Sequence, residues 1–349
     1  SSIVRDSIQG FIRALADTNF ILKISAEKNL LLPTPVGTWK ESAGAQISQI
    51  GLDLFNNTNE HIVIIKIKNH KNFLPEITKE RILDVFCNRV ESVFTVSVAE
   101  IDIGLPINLS DLAIAEIIEQ EINFEKLLDI LMRVVSSTSP SLLLFPPILG
   151  LDRAVEISAK LSKELKIPVV ETLGYYESVP GVRLQRAIER LLDRKGVRVI
   201  RGEVQGFSSK NSTIESLLIK YDKGEVRLDA GEAVLASGKW IGGGVRHLNA
   251  MPIKERIFDL PLSIDGEQIG DAPPWGLFST RYQDRHRAMR VGVCVNSILQ
   301  PIGYRGEVLY DNLRAVGSVL TGYDPHADGC GSGVAVVTGY LAAEYGLNK

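Results

Sequence analysis

No run of apolar residues in this chain approaches the ~20 needed to span a bilayer. The longest, HIVIIKI over 61–67 and LLLFPPIL over 142–149, are strand-sized. Cysteine is scarce: Cys87, Cys294 and Cys330 lie far apart, and no CxxC pair exists. That spacing argues against an iron–sulfur or zinc site built by this chain alone, and it suits a reducing cytoplasm. A surplus of charge of one sign is missing too. Lys and Arg number 39 against 42 Asp and Glu, a net charge of −3. Such a chain has no electrostatic reason to seek nucleic acid or anionic lipid. Internal repeats and low-complexity tracts are absent. No secretory signal pattern is visible, but the chain opens on Ser1-Ser2 without Met and runs straight into a helical pattern. A fragment or processed end is therefore expected there.

What is present is an ordinary globular composition, 45% hydrophobic and 23% charged over 349 residues. That length allows two domains, or one large domain with an insertion. Apolar spacing predicts a helix over 3–16, then a strand and a proline-containing turn over 28–40. A β-branched strand follows at 61–68, a helix at 79–93, a strand at 95–102 and one or two helices at 111–136. Short strands at 141–145 and 167–171 flank an amphipathic helix at 151–165. This alternation predicts an α/β layout with parallel pairing. Beyond Pro180 the pattern predicts a helix at 181–196 and a strand at 197–204. Antiparallel strands around 212–220 and 225–228 are joined by Asp222-Lys223-Gly224, and an apolar strand at 233–238 ends in small residues. Residues 251–307 are less regular and suggest a small substrate-side or interface subdomain. A last strand at 313–318 and a last helix at 331–346 close the chain.

The chemistry-bearing segment is 312–343, where an apolar strand ends at Gly317 and a polar loop leads to Gly329, Gly331 and Gly333 at the start of a helix. Small residues let backbone N–H groups approach a ligand. A helix N-terminus offers unpaired donors and partial positive charge. Such an end suits a pyrophosphate or the N1/C2=O edge of a flavin. Taken alone, the glycines favour a simpler reading, a turn that merely lets a helix pack tightly on a sheet. A second segment, 197–238, ends in Ala236-Ser237-Gly238, in the position where two-dinucleotide-fold flavoproteins close a strand on Ala-Thr-Gly beneath the dinucleotide. Gly202-Glu203-Val204 matches a Gly-x-Val that lends backbone to adenine in such folds. The order of the two segments favours a flavin, FAD or FMN.

Four stretches carry a closer resemblance: Thr34–Thr38 (TPVGT), LLLFPPILGL at 142–151, VPGVRLQRAIERLLDRKGVRVIRGEV at 179–204 and NLRAVGSVLTGYDPHADGCGSGV at 312–334. VLASG at 234–238, with the glycines at 242–244, also fits. With these, nearly the whole chain resembles the B-type subunit family of anaerobic glycerol-3-phosphate dehydrogenase complexes. The resemblance implies an α/β, doubly wound two-dinucleotide-fold flavoprotein (FAD/NAD(P)-binding type) with an inserted α/β portion. On that reading, 1–29 is a remnant of the flavin-binding domain and 30–175 the inserted portion. Segments 176–250 and 308–349 complete the flavin-binding domain, with the 251–307 subdomain between them. The implied activity is oxidation of sn-glycerol 3-phosphate to dihydroxyacetone phosphate, or relay of its electrons, with quinone as acceptor. The implied partners are a companion flavoprotein subunit and an iron–sulfur membrane-anchoring subunit. The implied location is cytoplasmic, peripheral at the inner face of the cell membrane. The family opens with a strand–GxGxxG–helix unit, and none occurs here; the first half offers only Gly10, Gly37, Gly44 and Gly51. Truncation is the favoured explanation.

The expected cofactor residues are Val204, Ser237, Gly238, Gly317, Ser318, Asp324, Gly329, Cys330, Gly331 and Gly333. Ser318 stands where many related flavoproteins place an acidic residue for the ribityl hydroxyls. His326 is a weak candidate acid/base; a solvated loop histidine is the simpler reading. Arg246 and Arg281 are candidate phosphate contacts, since a guanidinium fork suits a phosphate monoester. The wider basic cluster Arg281, Arg285, His286, Arg287 and Arg290 more simply forms a solvated or partner-facing surface. Two other readings remain: a fumarate-reductase-like enzyme, which needs several arginines converging on a dicarboxylate, and a non-catalytic scaffold that has lost its flavin.

Overall fold

The run Ile62–Ile65 is wholly apolar and β-branched, so both faces of its strand can be buried. In the computed structural model it sits inside a parallel sheet. The structure describes residues 2–25, 27–52, 61–87, 95–247, 253–269 and 274–347. Residues 88–93 of the expected helix at 79–93 lie outside these, as does the side chain of Cys87. The chain divides into two compact units, 12–198 and 1–11 together with 199–349.

In the 12–198 unit four parallel strands lie in the order Thr95–Ile101, His61–Ile67, Leu142–Phe145, Val169–Glu171. Val63, Ile65, Ile67, Leu143 and Phe145 pack on one face against residues of helices Asp111–Ile118, Glu121–Thr138 and Ala154–Leu165. Ile62, Ile64, Leu142, Leu144 and Val170 pack on the other, against Phe73 and against Ile82 of helix Pro75–Cys87. Each fully buried Ile or Leu contributes about 1.5–3 kcal/mol. Covering both faces makes the unit doubly wound, and the strand order reverses between His61–Ile67 and Leu142–Phe145.

Helix Val179–Arg194 starts on Ser178, whose hydroxyl accepts from the Gly181 N–H, with Pro180 in its first turn. Buried Arg183 forks onto Glu171 at 2.7 and 2.9 Å, and its Nε donates to the Gly150 carbonyl at 2.7 Å. Arg186 and Arg190 both reach Asp152. These ties fix the helix in the 12–198 unit, and the division between the two compact units falls at Val199.

In the other unit, strands Glu203–Lys210, Thr213–Tyr221 and Gly224–Asp229 form an antiparallel sheet. The strand expected at 197–204 begins only at Glu203, which opposes Lys220; Val197 and Val199 stay exposed with no strand to pair with. Ala233–Leu235 and Leu313–Ala315 pair in parallel, Ala233 opposite Leu313, and helix Gly331–Leu347 follows. Ile253, Phe258, Leu260, Leu262, Val291 and Val293 share one core with Leu235, Leu313 and Ala315. Residues of the 251–307 segment thus contribute to the core of this unit. Both units mix helices with strands, and each holds parallel pairing.

Candidate functional site

The strand Ala233–Leu235 runs into Ala236-Ser237-Gly238, and Gly238 has φ +76°, a conformation that favours glycine. A Cβ on Gly244 would stand 2.1 Å from the Gly238 carbonyl oxygen and 2.3 Å from Ser237 Oγ. Gly244 thus folds this turn back on itself. The neighbouring strand Leu313–Ala315 leads to Gly317, at φ +68°, whose N–H donates to Thr338 Oγ1 at 2.9 Å. A Cβ on Gly238 would lie 3.4 Å from Ser318 Oγ, so the two turns lie side by side.

The glycines that open helix Gly331–Leu347 behave differently. Around Gly329 and Gly333 nothing lies within 4 Å of an added Cβ. Among the described residues, none accepts from the N–H groups of Gly331, Ser332 or Gly333. The first turn of a 17-residue helix therefore presents bare donors with the dipole behind them, open at Gly333 but backed by Pro325 at Gly331, where an added Cβ would stand 3.0 Å from Pro325 Cβ. Cys330, half-buried, precedes this turn.

The loop before the helix is rigidly held. Buried Asp324 accepts from the N–H groups of His326 at 2.9 Å and Ala327 at 3.0 Å, while its own N–H donates to Asp328 at 2.9 Å. Burial would raise the Asp324 carboxyl, but these N–H bonds outweigh it and hold the group below the usual carboxylate range. Asp324 thus acts as a loop cap. His326 is exposed, and its imidazole has no hydrogen-bond partner among the described residues, although it interacts electrostatically with Asp324.

Sequence reasoning stopped one residue short of Lys239. This lysine is 6% exposed, and its Nζ donates to the carbonyls of Met289 at 2.8 Å and Tyr323 at 2.9 Å. It also lies over the Tyr323 ring, 4.8 Å from the centroid. Burial pushes its pKa down to about 8. The available signal was a cation directly after an apolar strand and a turn of small residues. Nearby, Ser237 Oγ and Tyr323 Oη are buried without hydrogen-bond partners, and burial pushes the Tyr323 phenol up to about 12.

The structure thus brings together Ser237, Gly238, Gly317 and Ser318 in the paired turns, with Asp324, Gly329, Cys330, Gly331 and Gly333 in the segment that follows. Val204 stands elsewhere, in the antiparallel sheet opposite Ile219. Arg246 and Arg281 are exposed, and neither guanidinium has a partner among the described residues. The rest of the basic cluster is engaged: Arg285 with Asp328, Arg287 with Glu267, and Arg290 with Asp265 and the Gly322 carbonyl. The bare helix donors and the orphaned polar atoms fit the anionic edge of a flavin. No group of three or more His, Cys, Asp or Glu among the described residues could hold a metal, and none of their helices is long and apolar enough to cross a membrane.

Proteins named as the B-type subunit of anaerobic glycerol-3-phosphate dehydrogenase align along almost this whole length. The chain resembles that subunit. The Vibrio cholerae protein is 27% identical over 324 residues, 89% of this chain and 70% of the relative. The Yersinia pestis protein is 26% identical over 332 residues, 93% of this chain and 74% of the relative. The Aliivibrio fischeri protein is 25% identical over 332 residues, 89% and 70% respectively. No family model matches the chain, and no solved structure matches it. The alignments with these relatives are long enough to take in both compact units.

Proposed function

We propose that this chain is a flavin-holding subunit of an anaerobic, quinone-linked sn-glycerol-3-phosphate dehydrogenase. Similarity to the B-type subunits over about 90% of the chain supports membership of such a complex. The uncapped start of helix Gly331–Leu347 beside the paired turns is the observation that carries the flavin reading. Companion subunits, a second flavoprotein and an iron–sulfur membrane anchor, would complete the assembly at the inner face of the cell membrane. A two-dinucleotide fold, with FAD or FMN across it, is the architecture this reading requires.

Bound flavin would supply two-electron chemistry, and the protein's task is to bind and tune it. Gly331, Ser332 and Gly333 offer N–H donors where reduction places negative charge. Gly329 and Gly333 leave room for close approach. Ser237 and Ser318 can each form a hydrogen bond to a polar group at the paired turns. Asp324 fixes the loop so that the helix start keeps its orientation. Arg246 and Arg281, exposed and without partners among the described residues, are free to meet a phosphate such as that of glycerol 3-phosphate. His326 keeps an exposed imidazole with no orienting hydrogen bond among the described residues, so the loop holds no positioned base, and the engaged arginines leave no converging set there for a dicarboxylate. Both facts favour electron relay over substrate oxidation.

The visible spectrum of the chain purified with its companion subunits tests the flavin. A flavin band that is lost on denaturation and assigned to this subunit is expected. No band, and none restored by FAD or FMN, overturns the reading. Relay predicts that Arg246→Ala and Arg281→Ala leave the KM for glycerol 3-phosphate in the assembled complex within twofold. A rise of about tenfold or more in either variant, on the order of 1.4 kcal/mol of binding, assigns that arginine to the substrate.

A further inference from the structure

We propose that Lys239 is the charge that sets the reduction potential of the flavin held at this site. The inference rests on the flavin reading above and extends it to a residue that neither the motifs nor the relatives' names single out. Lys239 joins the two halves of the site. Its backbone leaves the Ala236-Ser237-Gly238 turn, while its ammonium reaches the Tyr323 carbonyl at the start of the loop that leads to Cys330 and the helix. The second bond, to the Met289 carbonyl, comes from the short helix Arg287–Arg290. A lysine ammonium has three N–H donors. Two are engaged, and the third has no acceptor among the described residues.

A buried cation is costly unless it is paired or hydrogen-bonded. Here the two carbonyls and the Tyr323 ring solvate it, yet no carboxylate among the described residues bonds it directly. Asp324 and Cys330 from the 323–330 loop and Asp265 from the turn after strand Leu262–Ile264 favour its charge, while Arg290 opposes it. Asp324 and Asp265 are themselves engaged, with backbone amides and with Arg290 respectively. The positive charge is therefore only partly compensated within the protein. A charge left in that state, within electrostatic reach of Cys330 at the start of the helix, favours an anion arriving at the site. Reduction of a flavin by two electrons and one proton places negative charge on its pyrimidine edge. Lys239 then stabilises the reduced form over the oxidised one and raises the potential.

The experiment measures the midpoint potential of the bound flavin against pH from 6 to 9.5, in the assembled complex, for wild type, Lys239→Met and Lys239→Arg. At pH 7 the methionine variant should lose about tenfold in its preference for reduced over oxidised flavin, a fall of about 30 mV for a two-electron couple. The arginine variant keeps its charge and should stay near wild type at pH 7. As pH rises through about 8 the lysine loses its proton. The wild-type potential should then fall more steeply with pH, because reduction draws a proton back onto Lys239. Neither variant should show that added slope. A wild-type profile with no added slope between pH 7 and 9.5 overturns the proposal without any variant having to fold. So does a methionine variant that holds flavin at the wild-type potential and slope. Complex without flavin overturns the flavin reading as well, whereas flavin bound at a potential indifferent to Lys239 overturns this inference alone.

Discussion

Arg183 and Glu171 show how much of this protein depends on single pairs that no local pattern announces. Arg183 lies on a helix and Glu171 at the end of a strand, and both side chains are almost wholly excluded from water. The Glu171 Oε1 also accepts from the Leu149 N–H at 2.7 Å, which ties down the loop after Leu142–Phe145. An unpaired charge left here has nowhere to go. Arg183→Met should therefore cost about 3–5 kcal/mol of stability, read as a shift in urea midpoint, and Arg183→Met with Glu171→Leu should recover a substantial part of that loss. A single variant within about 1 kcal/mol of wild type would show that water already reaches the pair. His70 and Asp111 form a second buried pair at 2.9 Å, with Asn72 donating to the same carboxylate at 3.0 Å. Burial opposes the Asp111 charge, but the bonds from His70 and Asn72 prevail and keep its pKa low. Neither pair was visible in the sequence, because spacing along a chain does not say which loops meet at the end of a sheet. Lys239 was missed for a related reason: a lysine after an apolar strand reads as a surface residue until its carbonyl partners are placed.

At the scale of elements, the sequence was most informative where burial alone decides structure. His61–Ile67 and Leu142–Phe145 are continuous apolar runs, and they became inner strands covered on both faces. It was least informative where pairing decides. VRVIRGEV has the alternation of a strand, but its first six residues find no ladder, and regular pairing starts only at Glu203. The glycines divide in the same way. A motif cannot tell a glycine that closes a turn from one that leaves room, but an added Cβ can. Gly244→Ala puts a methyl 2.1 Å from the Gly238 carbonyl oxygen, and overpacking of this kind should cost about 3 kcal/mol. Gly333→Ala meets nothing within 4 Å and sits in a helix, where alanine is favoured by about 1 kcal/mol. Thermal unfolding of the two variants without added flavin should therefore shift in opposite directions. With flavin added, Gly333→Ala should lose affinity if the opening is the cofactor's approach. A variant that gains stability and still binds flavin as wild type would mean the open space serves packing in an assembly.

For the whole molecule, the division at Val199 matters more than the expected segments on either side of it. The helix at 179–194 resembles the relatives as part of one continuous stretch with 195–204, and that continuity groups it with the later strands. Its three arginines hold it instead to Glu171, Gly150 and Asp152 of the 12–198 unit. The chain then passes from one compact unit to the other through residues 197–202, which form no helix or strand. The other crossing, between Phe11 and Ile12, lies inside helix Ser2–Ala16, whose backbone is held by its own hydrogen bonds. Proteases need extended, accessible backbone, and exposed irregular segments supply it. Of the described Lys and Arg sites, Arg198 and Arg201 should therefore be cut first by trypsin under native conditions, leaving new N-termini at Val199 and Gly202. N-terminal sequencing of the earliest fragments checks this. Earliest cleavage among those sites at Arg13, or within the strands and helices of 61–67 and 142–165, would mean that the 197–202 passage is shielded from the protease.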